Sequence, residues 1–330
     1  MVGRGDLFLS DKIRPSPEAP SPEGRGLVSV VIPTLNRPEA VCRAVASVQA
    51  QTYRNLEIIV VVDGDDPPTV TALAALNEPR LKVVVHGKNK GPGAARNTGV
   101  EYASGRWVAF LDDDDEWLPP KLEVQVAAAE ALRDKDVVVT CRVFAEFGGK
   151  RMVWPNRMPK DGQHLSEYLI DRPRLISRPG YVATPTILIN RELAREIPFP
   201  DDEDHEDWGW LLLLADEAGA RVHFVWEPLA IVKISPTLTS RSHRNEWQVS
   251  FEWAQRYRSR MTGVAFASFV LTKVAGRARR AGAWGALPKI LLASFRMGTP
   301  RPRHLAFFAG TWLLPPSGLR KVFNRALSWG

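Results

Sequence analysis

Leu27-Val28-Ser29-Val30-Val31-Ile32 runs directly into Pro33-Thr34-Leu35-Asn36-Arg37. A continuous apolar, β-branched run of this length is the pattern of a strand buried on both faces, as in a parallel sheet. Pro33 ends the run, and Pro38 to Gln51 then reads as a helix. The same unit recurs downstream. Leu56 to Val62 is a second apolar run ending in Asp63-Gly64-Asp65-Asp66. Leu81 to Val85 is a third, followed by a Gly-containing turn and a helix from Gly93 to Ala103. Trp107 to Leu111 is a fourth, and it ends in four consecutive aspartates, Asp112 to Asp115. Strands alternating with helices predict βαβ units and an α/β, doubly wound, mostly parallel sheet.

Beyond Pro119 the alternation loosens. Lys121 to Arg133 reads as a helix, and Val137 to Ala145 with Arg151 to Trp154 as strands of a mixed extension. Thr186 to Ile189 reads as a short strand, Glu203 to Gly219 as an amphipathic helix, and Arg221 to Val225 as a further strand. Residues 1–26, rich in Pro, Glu, Gly and Arg without periodicity, are expected to form a disordered leader. The expected organisation is that leader, an α/β domain over 27–245, and a helical, basic region over 246–330.

Charge divides the chain in the same place. Residues 251–330 hold 11 Arg and 3 Lys against the single acid Glu252, while the whole chain has a formal charge of only +7. An acidic body therefore carries a basic tail, and the two imply different partners. Cys42 and Cys141 stand in apolar contexts without a pairing motif and are expected to be buried thiols. Nothing in the sequence argues for a disulfide framework, so a cytoplasmic location is the default expectation. No segment has the ~18 uncharged apolar residues of a membrane span.

Ligands of an open parallel sheet bind at the carboxyl ends of its strands. Three of those ends are polar here: Pro33 to Arg37, Asp63 to Asp66, and Asp112 to Asp115. Adjacent aspartates repel one another, and hard oxygen ligands favour Mg²⁺ or Mn²⁺. Taken alone, the four aspartates read equally well as an acidic turn before the helix near Pro119. Asn89 to Asn97 forms a Gly-containing turn opening a helix, a place suited to phosphate. Its glycines match neither the dinucleotide fingerprint nor a P-loop, which argues against a dehydrogenase and a P-loop kinase.

In order, Val28 to Arg37, Ser47 to Tyr53, Glu57 to Gly64, Gly91 with Ala95 to Gly99, and Phe110 to Pro119 resemble the motifs of family 2 glycosyltransferases. His205-Glu206-Asp207-Trp208 resembles the family's late acidic motif. The resemblance covers about residues 27–235 and implies a GT-A fold, Rossmann-like, with a mixed sheet flanked by helices. It also implies a nucleotide-sugar donor, UDP-linked in our expectation, and inversion at the anomeric carbon. Asp63 then resembles the aspartate that binds the nucleotide base, with Pro33, Thr34, Asn36 and Arg37 around it. Asp112-Asp113-Asp114 resembles the Asp-X-Asp motif, with Asp112 towards the ribose, Asp114 on Mn²⁺ or Mg²⁺, and Asp115 in support. Gly91 and Arg96 are expected at the diphosphate, and Asp207, with Glu206 as the alternate, is the expected base. Two positions depart from the family: Val62 leaves one acid where a pair is usual, and Lys233 to Thr237 replaces an Arg with a nearby His.

Arg interspersed with Trp253, Phe266, Trp284, Phe295 and Trp312 suits an anionic membrane surface. A helical bundle packed on the catalytic domain, or a dimer contact, explains the same composition. The expected acceptor is a polysaccharide or lipid-linked glycan, at the inner face of the cell membrane, with no nucleic acid. Two alternatives remain for the function: a non-catalytic nucleotide-sugar-binding subunit and a sugar nucleotidyltransferase.

Overall fold

The computed structural model describes residues 26–132, 134–175, 177–200, 204–234 and 246–314. The expected leader, apart from Gly26, and the stretch from Ser235 to Asn245 lie outside the described residues. The chain divides into two compact units. Of the described residues, those from 26 to 155 and from 182 to 234 form one, and those from 156 to 181 and from 246 to 314 form the other. The composition shift near Asn245 does not foretell that residues 156–181 group with the C-terminal helices.

The first unit is built on one sheet. Its strands are β1 (Val28–Thr34), β2 (Leu56–Val62), β3 (Leu81–Val85), β4 (Trp107–Phe110), β5 (Glu116–Trp117), β6 (Val137–Phe147), β7 (Lys150–Trp154), β8 (Leu188–Asn190) and β9 (Arg221–Lys233). They lie in the order β3-β2-β1-β4-β8-β6-β9-β5, with β7 paired to β6. The β1–β2, β2–β3, β1–β4 and β6–β9 pairs are parallel, and β8 runs antiparallel to β4 and β6. The result is a mixed, mostly parallel sheet. Val28, Val30, Val31, Ile32, Ile58, Ile59 and Val60 are fully buried. Each such side chain stabilises the fold by about 1.5–3 kcal/mol relative to exposure.

Helices α1 (Pro38–Gln49), α2 (Pro67–Ala74), α3 (Pro92–Tyr102) and α4 (Lys121–Leu132) follow the first strands. Proline stands in the first turn of α1, α2 and α3, where its missing N–H deprives no helical bond. Helix α3 lies very close to the sheet: a Cβ on Gly99 would stand 2.2 Å from the Val31 side chain. That approach brings the N-terminus of α3 to the strand ends.

The second unit is helical. It contains α5 (Leu165–Ile170) and, after the sheet unit's α6 (Arg191–Glu196) and α7 (Glu206–Glu217), the helices α8 (Trp247–Arg256), α9 (Gly263–Phe269), α10 (Ala275–Arg280), α11 (Ala286–Arg296) and α12 (Pro302–Leu313). A π-helical turn at Val270–Val274 joins α9 to α10. Trp253 packs on Phe269 and Tyr257 at 5.0 Å each, and Phe266, Val270 and Leu271 are fully buried. Cys141 is buried as expected, whereas Cys42 is only half-buried, because it stands at the margin of the buried stripe of α1. No helix among the described residues is long and apolar enough to cross a membrane.

Candidate active site

The chain leaves β1 for β2 and β3 on one side and returns to β4 on the other. The carboxyl ends of β1 and β4 thus flank a topological switch point, where an open sheet leaves a crevice. Thr34 ends β1 and Asp112 to Asp115 follow β4, and the two segments touch there. Thr34 Oγ1 donates to Asp113 Oδ2 at 2.7 Å, and Arg37 donates to Asp113 Oδ1 at 2.9 Å and to Asp114 Oδ2 at 3.2 Å. Asn36 adopts a left-handed φ of 56° and its N–H donates to Asp66 at 2.6 Å, which turns the chain from strand to helix.

Next to this, Asp63 follows β2 and is 5% exposed. Its carboxylate accepts from Lys90 N at 2.9 Å, from Gly91 N at 2.8 Å, and lies 2.8 Å from His86 Nδ1. Gly91 has φ 93°, a backbone region that favours glycine, and it caps α3. Asp63 therefore ties the Gly-containing turn to the strand ends, and a carboxylate that accepts three bonds keeps little capacity for a ligand. His86, whose Nε2 is 2.9 Å from Thr98 Oγ1, is a buried member of this cluster that sequence reasoning missed. Its one signal was its place directly after the third apolar run.

The four aspartates are not equivalent. Asp113 and Asp115 are buried, whereas the Asp112 and Asp114 side chains are 31% and 52% exposed. Burial pushes Asp113 above the ordinary carboxylate range, and Thr34 and Arg37 offset this only in part. Asp114 is also raised, by burial and then by the charge of Asp112. Asp115 is raised well above that range by burial and by the charges of Asp112 and Asp114, although Lys233 N donates to it at 3.0 Å. The Lys233 ammonium itself pairs with Glu116. Two outward carboxylates that raise the proton affinity of their neighbours make a hard-oxygen donor set suited to Mn²⁺ or Mg²⁺. Among the described residues no third His, Cys, Asp or Glu completes a cage. Mg²⁺-type sites with one or two carboxylates leave the remaining positions to phosphate and water.

Arg96 joins this acidic end to α7. It is 5% exposed, and its terminal nitrogens donate to Asp112 Oδ1 at 2.7 Å and to Glu206 Oε1 at 2.6 Å. Burial opposes its charge, and the two carboxylates more than restore it, holding its pKa above the ordinary guanidinium value. Arg96 is thus a buried clamp, and meeting a diphosphate would require it to release a carboxylate. Glu206 and Asp207 open α7 behind a left-handed His205, so the late acidic motif supplies one arm of the clamp through Glu206. Asp207 is half-buried and accepts from Trp208 N at 2.8 Å. Trp210 is fully buried, stacked on Phe199 at 3.9 Å, with its Nε1 donating to Ile197 O. It belongs to the core and offers no sugar platform. Trp208 is half-buried and stacks on His205 at 5.5 Å.

Residues 29–197 match the model for glycosyl transferase family 2. The chain is 28% identical over 190 residues, 58% of its length and 70% of the relative's, to the Escherichia coli UDP-Glc:alpha-D-GlcNAc-diphosphoundecaprenol beta-1,3-glucosyltransferase WfgD. It is 28% identical over 243 residues, 71% of its length and 78% of the relative's, to the amylovoran biosynthesis glycosyltransferase AmsB of Erwinia amylovora. Among solved structures, S. aureus TarS 1–349 in complex with UDP-GlcNAc shares 20% identity over 91% of this chain and 87% of that one, with a TM-score of 0.52. The chain spans 55% of the longer TarS chain. The mannosyltransferase PcManGT from Pyrobaculum calidifontis, in complex with GDP-Man and Mn²⁺, shares 20% identity over 96% and 88%, with a TM-score of 0.53. The strand-end acids thus stand on a GT-A fold, and the chain belongs to glycosyltransferase family 2 and is a glycosyltransferase.

Proposed function

We propose that this protein is a metal-dependent, inverting glycosyltransferase that moves a sugar from a UDP-linked donor to a lipid-linked or polysaccharide glycan acceptor. The observation that carries the proposal is the Arg96 clamp, which holds the acid after β4 and the acid opening α7 on one guanidinium. Two motifs that are 94 residues apart, Asp112 and Glu206, are thereby fixed at one strand end. The E. coli relative named for UDP-Glc and a diphosphoundecaprenol-linked acceptor supports the donor and acceptor classes.

In this scheme Pro33, Thr34, Asn36 and Arg37 line the nucleotide side, with Asp63 and Gly91 forming its floor. Asp112 would face the ribose, Asp114 together with Asp112 would hold the divalent ion, and Asp113 orients Arg37. The ion, when bound, supplies charge to the departing diphosphate. Asp207 accepts the proton of the acceptor hydroxyl as that oxygen bonds to the anomeric carbon. The bond from that carbon to the diphosphate oxygen breaks on the opposite face, which inverts the configuration. Glu206, paired with Arg96, positions α7, and Asp207 beside it is the proposed base.

The test is transfer from a panel of nucleotide sugars to a polyprenyl-diphosphate glycan, with Mn²⁺, Mg²⁺ or chelator, and with the product's anomeric configuration read by NMR. Asp207→Asn should lower kcat by about 10²–10⁴-fold while donor binding persists. Asp114→Ala should abolish the response to metal. Full activity of Asp207→Asn, or a retained configuration, would show the mechanism to be wrong.

A further inference from the structure

We infer that the outward face of α11 and α12, together with Trp284, is a docking surface for an anionic lipid bilayer. The inference stands apart from the chemistry at the strand ends and rests on the helical unit alone. On α11, Pro288, Leu292 and Phe295 are exposed, and their spacing places them on one side of the helix. On α12 the exposed residues are Pro302, Ala306, Ala309 and Leu313, again one stripe and wholly apolar. Leu292 is 51%, Phe295 57% and Leu313 81% exposed. Trp284, itself 55% exposed, lies 5.1 Å from Trp312 and joins the start of α11 to the end of α12. Large apolar side chains gathered on one exposed face mark an interaction site, not ordinary surface.

Charge selects the occupant. Exposed Lys289 and Arg296 flank Leu292 and Phe295, and exposed Arg301 stands at the start of α12 beside Pro302. A second copy would bring the same cations to face their own kind. The chain's own continuation, residues 315–330, carries Arg320, Lys321 and Arg325 and no acid, so it offers these cations no counter-charge. Nucleic acid would satisfy the cations but would not bury Leu292, Phe295 and Leu313. An anionic bilayer does both: the apolar side chains enter the acyl boundary while Lys and Arg stay among headgroups.

Flotation of the full chain with phosphatidylcholine vesicles, with and without phosphatidylglycerol, tests the inference. The wild type should float with the anionic vesicles, poorly with the neutral ones, and less as salt rises. The double variant Leu292→Glu/Phe295→Glu should lose about tenfold or more of the bound fraction, and Leu313→Glu should weaken it independently. All three positions are exposed, so melting temperatures should match the wild type. Equal flotation of wild type and variants, equal binding to neutral vesicles, or a wild-type dimer that the variants dissociate would each overturn the proposal. Flotation needs no donor, acceptor or metal, so its failure and the failure of the transfer assay are separate results.

Discussion

The two units of this protein treat charge in opposite ways. In the sheet unit, buried Arg96 spans two carboxylates and Arg37 spans two more at the strand ends. In the helical unit, eleven cations between residues 246 and 314 face two acids in the same stretch. Paired, buried charge is preorganised: its dipoles are already aimed before a ligand arrives, which is what transition-state stabilisation needs. Exposed charge, such as that of Lys289 and Arg296, acts at longer range and is screened by salt. A catalytic mouth and an adhesive face can thus be distinguished by where their counter-ions come from.

Breaking the clamp should have the largest effect on this contrast. Arg96→Met removes one cation from between Asp112 and Glu206 and leaves both acids part-buried without it. Removing one partner of a buried ion pair costs about 3–5 kcal/mol, because the remaining charge is uncompensated. Urea denaturation should show that loss, and Arg96→Lys should recover only part of it, since an ammonium lacks the planar fork that spans two carboxylates. If Arg96→Met were as stable as the wild type, the acids would not depend on the clamp and the contrast between the units would fail.

Lys121 is the place where the sheet unit resembles the helical one, and it sharpens the rule. It is fully buried, with its Nζ 2.6 Å from Gln125 Oε1 and 3.8 Å from the Trp117 ring centroid. Among the described residues no carboxylate pairs with it. Burial pushes its pKa from 10.5 down to about 8. Between those values the folded chain has released a proton that the unfolded chain still holds, so stability rises with pH. The gain over that window is about 3 kcal/mol. Lys121→Met should lack the rise, so the wild-type advantage should grow from about pH 8 to 10.5 in denaturant titrations. Parallel curves for the two proteins would show that Lys121 is not buried as a cation at neutral pH.

Much of the sheet unit was legible in the sequence because its central strands β1, β2 and β4 are buried on both faces. Leu56–Val62 and Leu81–Val85 end where their apolar runs end, since the next residues, Asp63 and His86, are polar and bond to each other. Alternation in burial could not be read from Asp112 to Asp115, because four identical residues carry no pattern; Arg96 at Asp112, Thr34 and Arg37 at Asp113, and Lys233 N at Asp115 differentiate them. The depth of Arg96 was equally hidden, since an Arg in the first turns of a helix usually lies at the surface. β9 extends to Lys233, well past the expected Val225, because Pro228 lies at a register shift against β6 and does not end the strand. The grouping of residues 156–181 with the C-terminal helices was not legible, for it rests on contacts across more than 90 residues. One of these is Asp171 with His304.

That contact yields the smallest predicted effect, and it marks where the helical unit departs from its own rule. Asp171, 5% exposed at the end of α5, accepts from Arg303 at 2.6 Å and lies 2.7 Å from His304 Nε2. Arg301 N donates to His304 Nδ1, so Nε2 carries the proton given to Asp171. Burial raises the proton affinity of Asp171, but His304 and Arg303 outweigh it and hold the carboxyl below the ordinary range. A depressed carboxylate pKa contributes stability that is complete above the unfolded value and is lost as pH falls through the folded one. Asp171→Asn turns an amide N–H towards Arg303, donor against donor, and should cost about 1–3 kcal/mol at neutral pH. The cost should begin to shrink below about pH 4 and vanish only once pH has fallen through the lowered folded value. If the variant were as stable as the wild type at pH 7, the helical unit would be held by its apolar core alone, and Asp171 would have no structural weight.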